Sequence, residues 1–308
     1  MKPVEAAVAV VEAPVIVAVA EPQSYSRLDD VMMLTKARLT MLVLMTTAMG
    51  FGFGSGHRMD WFLFFRVMFG TAFVAASASV LNQFFERKVD RLMPRTRDRP
   101  LPAGRMAPGT ALGLGILLGV AGLIYLMNRV SPLCAGLAAG TLATYIALYT
   151  PLKRKSAWCV TVGAISGAIP PVIGWAAATG SLGRDAWILF GILFFWQMPH
   201  FLSLAWMYRD EYAQAGFIML RRNDIAGIKA ATESLCCAAA LAAVTLLPVY
   251  LGLAHIIYLP VALGCDGWLL VCAVLFLCHR NRASARRLFL ASILYLPLLM
   301  GFLMACRR

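Results

Sequence analysis

The chain has 308 residues, 60% hydrophobic and only 14% charged, with a mean hydropathy of +0.74; this excludes a soluble globular domain and describes a polytopic membrane protein. The net charge of +13 would suit nucleic acid. However, with the N-terminus in the cytoplasm, 22 of the 28 Lys and Arg fall in the tail and in the connections on that same face, which is the positive-inside asymmetry of membrane proteins and requires no nucleic-acid partner.

Residues 1–24 are rich in Val and Ala but interrupted by Glu5, Glu12, Glu21 and three prolines. They lack the features of a span, a signal peptide or an Arg-rich transit peptide. Residues 1–30 therefore read as a disordered cytoplasmic tail, and 31–308 as a single transmembrane domain in a bacterial inner membrane. Apolar windows of about 20 residues fall near 39–56, 61–85, 108–128, 132–150, 158–178, 186–206, 231–251, 256–278 and 288–305. They predict an all-α bundle of about nine transmembrane helices. The glycines at 50, 52, 54 and 56 predict a loose exit from the first span.

The second span runs directly into Leu81–Gly104, L-N-Q-F-F-E-R-K-V-D-R-L-M-P-R-T-R-D-R-P-L-P-A-G. Residues four apart share a helix face, so Asn82, Glu86 and Asp90 form one polar stripe. At 1.5 Å per residue it extends roughly 12 Å, too far for three side chains to hold one cation. Mg²⁺ shared with a phosphate chain suits it better, because Mg²⁺ takes one or two carboxylates and fills its remaining positions with water and phosphate oxygen. Arg87, Lys88, Arg91, Arg95, Arg97, Arg99 and Arg105 follow at once, and the arginine fork matches phosphate geometry. Acids for a metal beside bases for phosphate predict a diphosphate site at a membrane mouth. Arg66, a lone cation within the second span, reads as a side chain snorkelling to the nearer interface.

The fourth span ends in Tyr149-Thr-Pro-Leu-Lys-Arg-Lys155, a basic cap that places Lys153 and Arg154 on the same face as the stripe. The fifth contains Gly167-Ala-Ile-Pro-Pro-Val-Ile-Gly-Trp175, a Gly/Pro-interrupted helix of the kind tolerated where protein or a cavity satisfies the freed backbone. The sixth closes on Phe194-Phe-Trp-Gln-Met-Pro-His-Phe201, in which His200 is an intramembrane titratable group. Beyond it, Asp210 and Glu211 stand in the connection to the seventh span, where they could complete a second metal position. The last three spans carry no comparable motif and read as scaffold. The eight cysteines lie in or at spans without C-x-x-C spacing and read as small buried apolar residues.

Taken together, N-x-x-x-E-x-x-x-D-R-L-M-x-R-T-x-x-R-P-L-P, Y-T-P-L-K-R, G-A-I-P-P-V-I-G-W, W-Q-M-P-H-F and D-E-Y-x-x-A-G-x-x-M-L resemble the UbiA-type intramembrane prenyltransferases, and within them the haem-farnesylating branch. The resemblance runs from Lys36 to Leu220. The acidic stripe and the R-T-x-x-R-P segment are common to the wider superfamily, whereas W-Q-M-P-H-F and the D-E-Y loop point to the haem branch. Glu86 stands where the superfamily more often has Asp, and Arg221 where proline usually follows Met-Leu. The resemblance implies Mg²⁺ held by Asn82, Glu86, Asp90 and Asp210, and phosphate donors at Arg95, Arg99, Lys153 and Arg154. It implies a porphyrin faced by Tyr149, Trp196 and His200. Farnesyl diphosphate and haem B would be the substrates, membrane lipid the surroundings, and haem A synthase or oxidase-assembly proteins the partners. Two other readings are a prenyltransferase of the same fold acting on an aromatic acid or quinone precursor, and a transporter or non-catalytic haem-handling protein.

Overall fold

The computed structural model describes residues 25–56, 58–221, 223–224 and 226–307. Most of the expected tail, residues 1–24, lies outside them. The expected tail boundary at residue 30 falls inside a short helix, α1 (Arg27–Leu34). Its start is fixed by a capping box, in which Ser26 accepts from the Asp29 amide and Asp29 accepts from the Ser26 amide.

Nine helical segments are long and apolar enough to cross a membrane among the described residues, and no strand is present among them. The first three spans are α2 (Ala37–Gly54), α3 (Trp61–Asp90) and α4 (Pro108–Arg129). The fourth is composite: α5 (Pro132–Ala143), a π-helical turn (Thr144–Tyr149) and α6 (Thr150–Leu152). The fifth is broken at Ile169 into α7 (Cys159–Ala168) and α8 (Pro170–Thr179), because a proline in mid-helix removes a hydrogen bond and clashes with the preceding turn. There follow α9 (Arg184–Met207), the short α10 (Arg209–Gln214), and the last three spans, α11 (Ile228–Tyr250), α12 (Tyr258–His279) and α13 (Arg282–Ala305). The nine spans match the expected windows to within a few residues at most ends. The exceptions are the end of α3, five residues beyond the expected window, and the start of α13, six residues before it.

Two packed halves meet along the fifth and sixth spans. In one, α2 lies on α8 and α3 on α4; in the other, α9, α11, α12 and α13 enclose a core that includes Tyr258, Tyr295, Phe276 and Leu241. Of the four glycines expected to mark a loose exit, only Gly56 lies in the turn after α2; Gly50, Gly52 and Gly54 are helical. The helix continues through Gly54, and Gly50 and Gly174 let α2 and α8 touch backbone to backbone. A Cβ at Gly50 would stand 1.9 Å from the Pro171 carbonyl oxygen, and one at Gly174 1.9 Å from that of Thr47. Small residues at such crossings are how membrane helices gain packing without a hydrophobic drive between them.

At 30 residues, α3 is about 45 Å long against a hydrocarbon core of about 30 Å. Its final turns therefore project beyond the apolar layer and carry the Asn82, Glu86 and Asp90 face to the membrane mouth.

Candidate active site

The stripe is buried within the protein. Asn82 is 0%, Glu86 7% and Asp90 1% exposed, so the three side chains face neither lipid nor open water. A buried carboxylate needs a partner, and each polar group has one from a different element. Lys153, just after α6, places Nζ 2.8 Å from Glu86 Oε1. Arg99, in the loop after α3, places Nη1 2.8 Å from Asp90 Oδ2. Lys36, between α1 and α2, donates to Asn82 Oδ1 at 2.8 Å, while Asn82 Nδ2 donates to Thr150 Oγ1 at 3.3 Å. Lys36, to which the sequence assigned no site role, is thus part of the cluster.

The loop carrying Arg99 is tied back to the helix it leaves, for Thr96 Oγ1 donates to the Asp90 carbonyl at 2.8 Å. Arg105 pairs with Asp30 of α1 at 2.8 Å, and Gln83 donates to the carbonyls of Met33 and Leu34. Helix α1 therefore fastens the loop from its outer side.

The π-helical turn delivers aromatic rings to the same place. Tyr145 and Tyr149 stand with ring centroids 5.0 Å apart, and Lys153 Nζ lies 4.5 Å from the Tyr149 centroid. Gly163 makes room for this ring, since a Cβ there would meet Tyr149 Cε2 at 2.9 Å. Burial alone would lower the Lys153 pKa, but Tyr149 and the Glu86 carboxylate outweigh it and hold the ammonium well above its usual range. Lys36 goes the other way: burial, then the charges of Arg99 and Lys153, lower it to about 7.

The connection after α9 reaches this mouth through its backbone. Ile218 N donates to the Lys153 carbonyl at 2.6 Å, and Phe217 and Ala215 pack on Met93. Asp210 is on this connection, but its carboxylate is 81% exposed and lies 3.7 Å from its own neighbour, Arg209. Among the described residues no three His, Cys, Asp or Glu side chains form a ready metal cluster. Arg95 and Arg154 are exposed. The structure therefore joins Asn82, Glu86, Asp90, Arg99, Lys153 and Tyr149, and leaves Asp210, Arg95 and Arg154 turned outward.

Trp196 and His200 form a second group, facing α13. Trp196 Nε1 donates to the Ser292 carbonyl at 2.7 Å, and His200 Nδ1 lies 2.8 Å from Ser292 Oγ. The His200 ring stacks between Trp196 and Phe289, at centroid distances of 5.2 and 4.8 Å. The last three spans, expected as scaffold, thus supply the partner of the sixth-span histidine. They also bury a carboxylate: Asp266 of α12 is 4% exposed and accepts from Tyr295 at 2.5 Å. A lone carboxylate in an otherwise apolar span is a strong sequence signal for a buried polar role, and Asp266 carried it.

Acids on an emerging helix, faced by cations from three other segments at one mouth of a nine-span bundle, are the arrangement of an intramembrane enzyme acting on a polar headgroup with an apolar tail. The chain belongs to the UbiA prenyltransferase family, whose pattern matches residues 43–299. It is 43% identical over 287 residues to a protoheme IX farnesyltransferase of Solibacter usitatus, covering 90% of this chain and 98% of that protein. It is 38% identical over 275 residues to the mitochondrial protoheme IX farnesyltransferase of Homo sapiens, covering 89% of this chain and 61% of the human protein. Among solved structures, a digeranylgeranylglyceryl phosphate synthase shares the fold with a TM-score of 0.78 at 18% identity, over 91% of this chain and 98% of that one. A UbiA homologue from Archaeoglobus fulgidus bound to DMAPP and Mg²⁺ gives 0.63 at 15% identity, over 89% and 99%.

Proposed function

We propose that this chain transfers the farnesyl group of farnesyl diphosphate to a vinyl group of haem B, with addition of water, giving the hydroxyethylfarnesyl haem (haem O) used in haem-copper oxidase assembly. The observation that carries this reading is the 43% identity to the Solibacter farnesyltransferase over 98% of that protein's length. The transfer depends on Mg²⁺.

The residues present fit such a metal. Asp90 Oδ1 is buried with no hydrogen-bond partner, an oxygen left free for a cation, and Glu86 and Asn82 share its helix face. Asn82, Glu86 and Asp90 would together hold Mg²⁺ ions shared with the diphosphate, no one ion taking all three side chains, with Asp210 at the second position. When bound, Mg²⁺ supplies charge stabilisation to the departing diphosphate.

The protein's own cations do the complementary work. Arg99 and Lys153 exchange their carboxylates for diphosphate oxygens, and Arg95 and Arg154 add donors from the exposed side. Aimed at where charge develops, such donors stabilise the leaving group in the transition state. The C1–O bond of the farnesyl group breaks with its electron pair leaving on the diphosphate. The vinyl π electrons of haem then close on the allylic cation to make the new carbon–carbon bond. Water captures the resulting cation beside the macrocycle and releases a proton.

Tyr149, Trp196 and His200 face the porphyrin. With Nδ1 engaged by Ser292, His200 has Nε2 for the haem iron or a propionate. Replacing His200 with Ala should alter the absorption spectrum of added haem; an unchanged spectrum with normal turnover removes it from the site. The mouth that carries the acids and bases faces the cytoplasm of a bacterial inner membrane, as the distribution of basic residues favours. The product passes to haem A synthase or oxidase-assembly partners.

The test is a product assay with purified protein, farnesyl diphosphate, Mg²⁺ or EDTA, and either haem or 4-hydroxybenzoate as acceptor. Farnesylated haem formed only with Mg²⁺ is expected; a prenylated 4-hydroxybenzoate instead would move the chain to the quinone-precursor class.

A further inference from the structure

A second charged site lies at the opposite end of α3. Arg66 stands 16 residues before Asn82 in the sequence, about 24 Å along the helix axis, and therefore apart from the acid and base cluster. It lies only five residues from the first residue of α3, about 7.5 Å in, near the membrane face away from that cluster. Its side chain lines a recess of about 500 Å³ whose other walls are Trp61, Phe62, Phe65, Phe69 and Tyr125. Phe69 and Tyr125 meet edge to face at 5.3 Å across the α3 and α4 contact. Phe62 is 81% and Phe65 65% exposed, so the recess opens outward, toward lipid.

Arg66 makes no hydrogen bond or ion pair among the described residues, and no acidic side chain lines the recess. A guanidinium this close to a helix end reaches the headgroup level, where phosphate is the anion at hand. Simple snorkelling accounts for its charge but not for the ring-walled space beside it.

We propose that this recess binds an anionic phospholipid of the surrounding bilayer. The phosphate accepts from Arg66 in the forked geometry that guanidinium favours, and the upper acyl chain lies along the aromatic walls. The single charge of the recess is positive, so it complements a net-negative headgroup and disfavours one that brings its own cation. Aromatic rings at headgroup level are the ordinary interfacial anchors of membrane proteins. Here they flank a cation as well, which complements an anionic headgroup.

The test uses the full chain in nanodiscs containing either brominated phosphatidylglycerol or brominated phosphatidylcholine, with Trp fluorescence quenching as the readout. Subtracting the signal of a Trp61→Phe variant isolates the quenching at Trp61. That quenching should be greater with phosphatidylglycerol by about two- to fivefold, the range of an interfacial ion pair. Arg66→Gln should bring the two lipids to parity, while Arg66→Lys, which keeps the charge and guards against a folding artefact, should keep part of the preference. Parity in the wild type, or a preference that survives Arg66→Gln, would overturn the site.

Discussion

Thr245 Oγ1 lies 2.9 Å from the Ala242 carbonyl and 2.7 Å from Asp266 Oδ2. A hydroxyl has one proton, and a carbonyl can only accept. If that proton goes to Ala242, the contact with Asp266 is a hydrogen bond only when the carboxyl brings a proton of its own. Asp266 would then be a neutral acid that donates to Thr245 and accepts from Tyr295, which suits a group buried among apolar helices. Asp266→Asn keeps one donor and one acceptor and should melt close to wild type in detergent. Asp266→Ala leaves the buried Tyr295 hydroxyl without its acceptor, while Thr245 keeps the Ala242 carbonyl, and should cost about 1–3 kcal/mol for the orphaned group, visible as a lower Tm. Equal Tm values for the two variants would contradict this accounting. Lys36 makes a pH-dependent prediction in the metal-free protein. Its folded pKa of about 7 lies below the unfolded value of about 10.4, so between those limits the unfolded chain binds more protons and stability rises with pH. The Tm of wild type relative to Lys36→Met should therefore climb between pH 7 and 10 and be flat below pH 6. The sequence makes Asp266 visible as a charge in an apolar run, but not its partners, because Thr245 and Tyr295 lie on other helices at distances no periodicity encodes. Lys36 was hidden for the same reason: 46 residues separate it from Asn82.

Among the elements, the composite helices do most to position chemistry. The π-helical turn at Thr144–Tyr149 brings Tyr145 and Tyr149 together and sets Lys153 over the second ring, and a single such turn is a common device at functional sites. The break at Ile169 was legible from its two prolines. The π turn was not, since T-Y-I-A-L-Y carries no breaker. The glycines of α2 were legible as glycines but not as a crossing, because a glycine cluster near a helix end signals a turn as readily as close packing. The crossing makes its own prediction. Gly174→Ala would drive a methyl group into the Thr47 carbonyl, a backbone atom that cannot rotate away, so α2 and α8 must separate. Overpacking of this kind costs about 1–3 kcal/mol. Gly264→Ala, with nothing within 4 Å of the added carbon, should leave Tm unchanged in the same melt.

At the scale of the whole molecule, the stripe, the basic loops and the nine spans were readable because each is a local pattern repeated over tens of residues. The pairing of every stripe residue with a cation was not, for it depends on three loops converging. On the proposed function, that pairing bears on how the site would load. Each carboxylate already has a base at 2.8 Å, so on the proposed function a metal arriving alone would find Asp90 Oδ1 free but would place its charge beside those of Lys153 and Arg99. A diphosphate arriving alone meets the same cations but also the unscreened charges of Glu86 and Asp90. On the proposed function, with both present the metal would take the carboxylates and the diphosphate the cations, so every charge would keep a partner. Ligands that bind only the folded protein raise its Tm by mass action, which turns this exchange into a measurable coupling. The Tm increase with Mg²⁺ and inorganic pyrophosphate together should exceed the sum of the increases with each alone. In Glu86→Gln with Lys153→Met, where one pair is removed from both sides, that excess should shrink. Strictly additive shifts in the wild type would mean that metal and diphosphate do not share these residues.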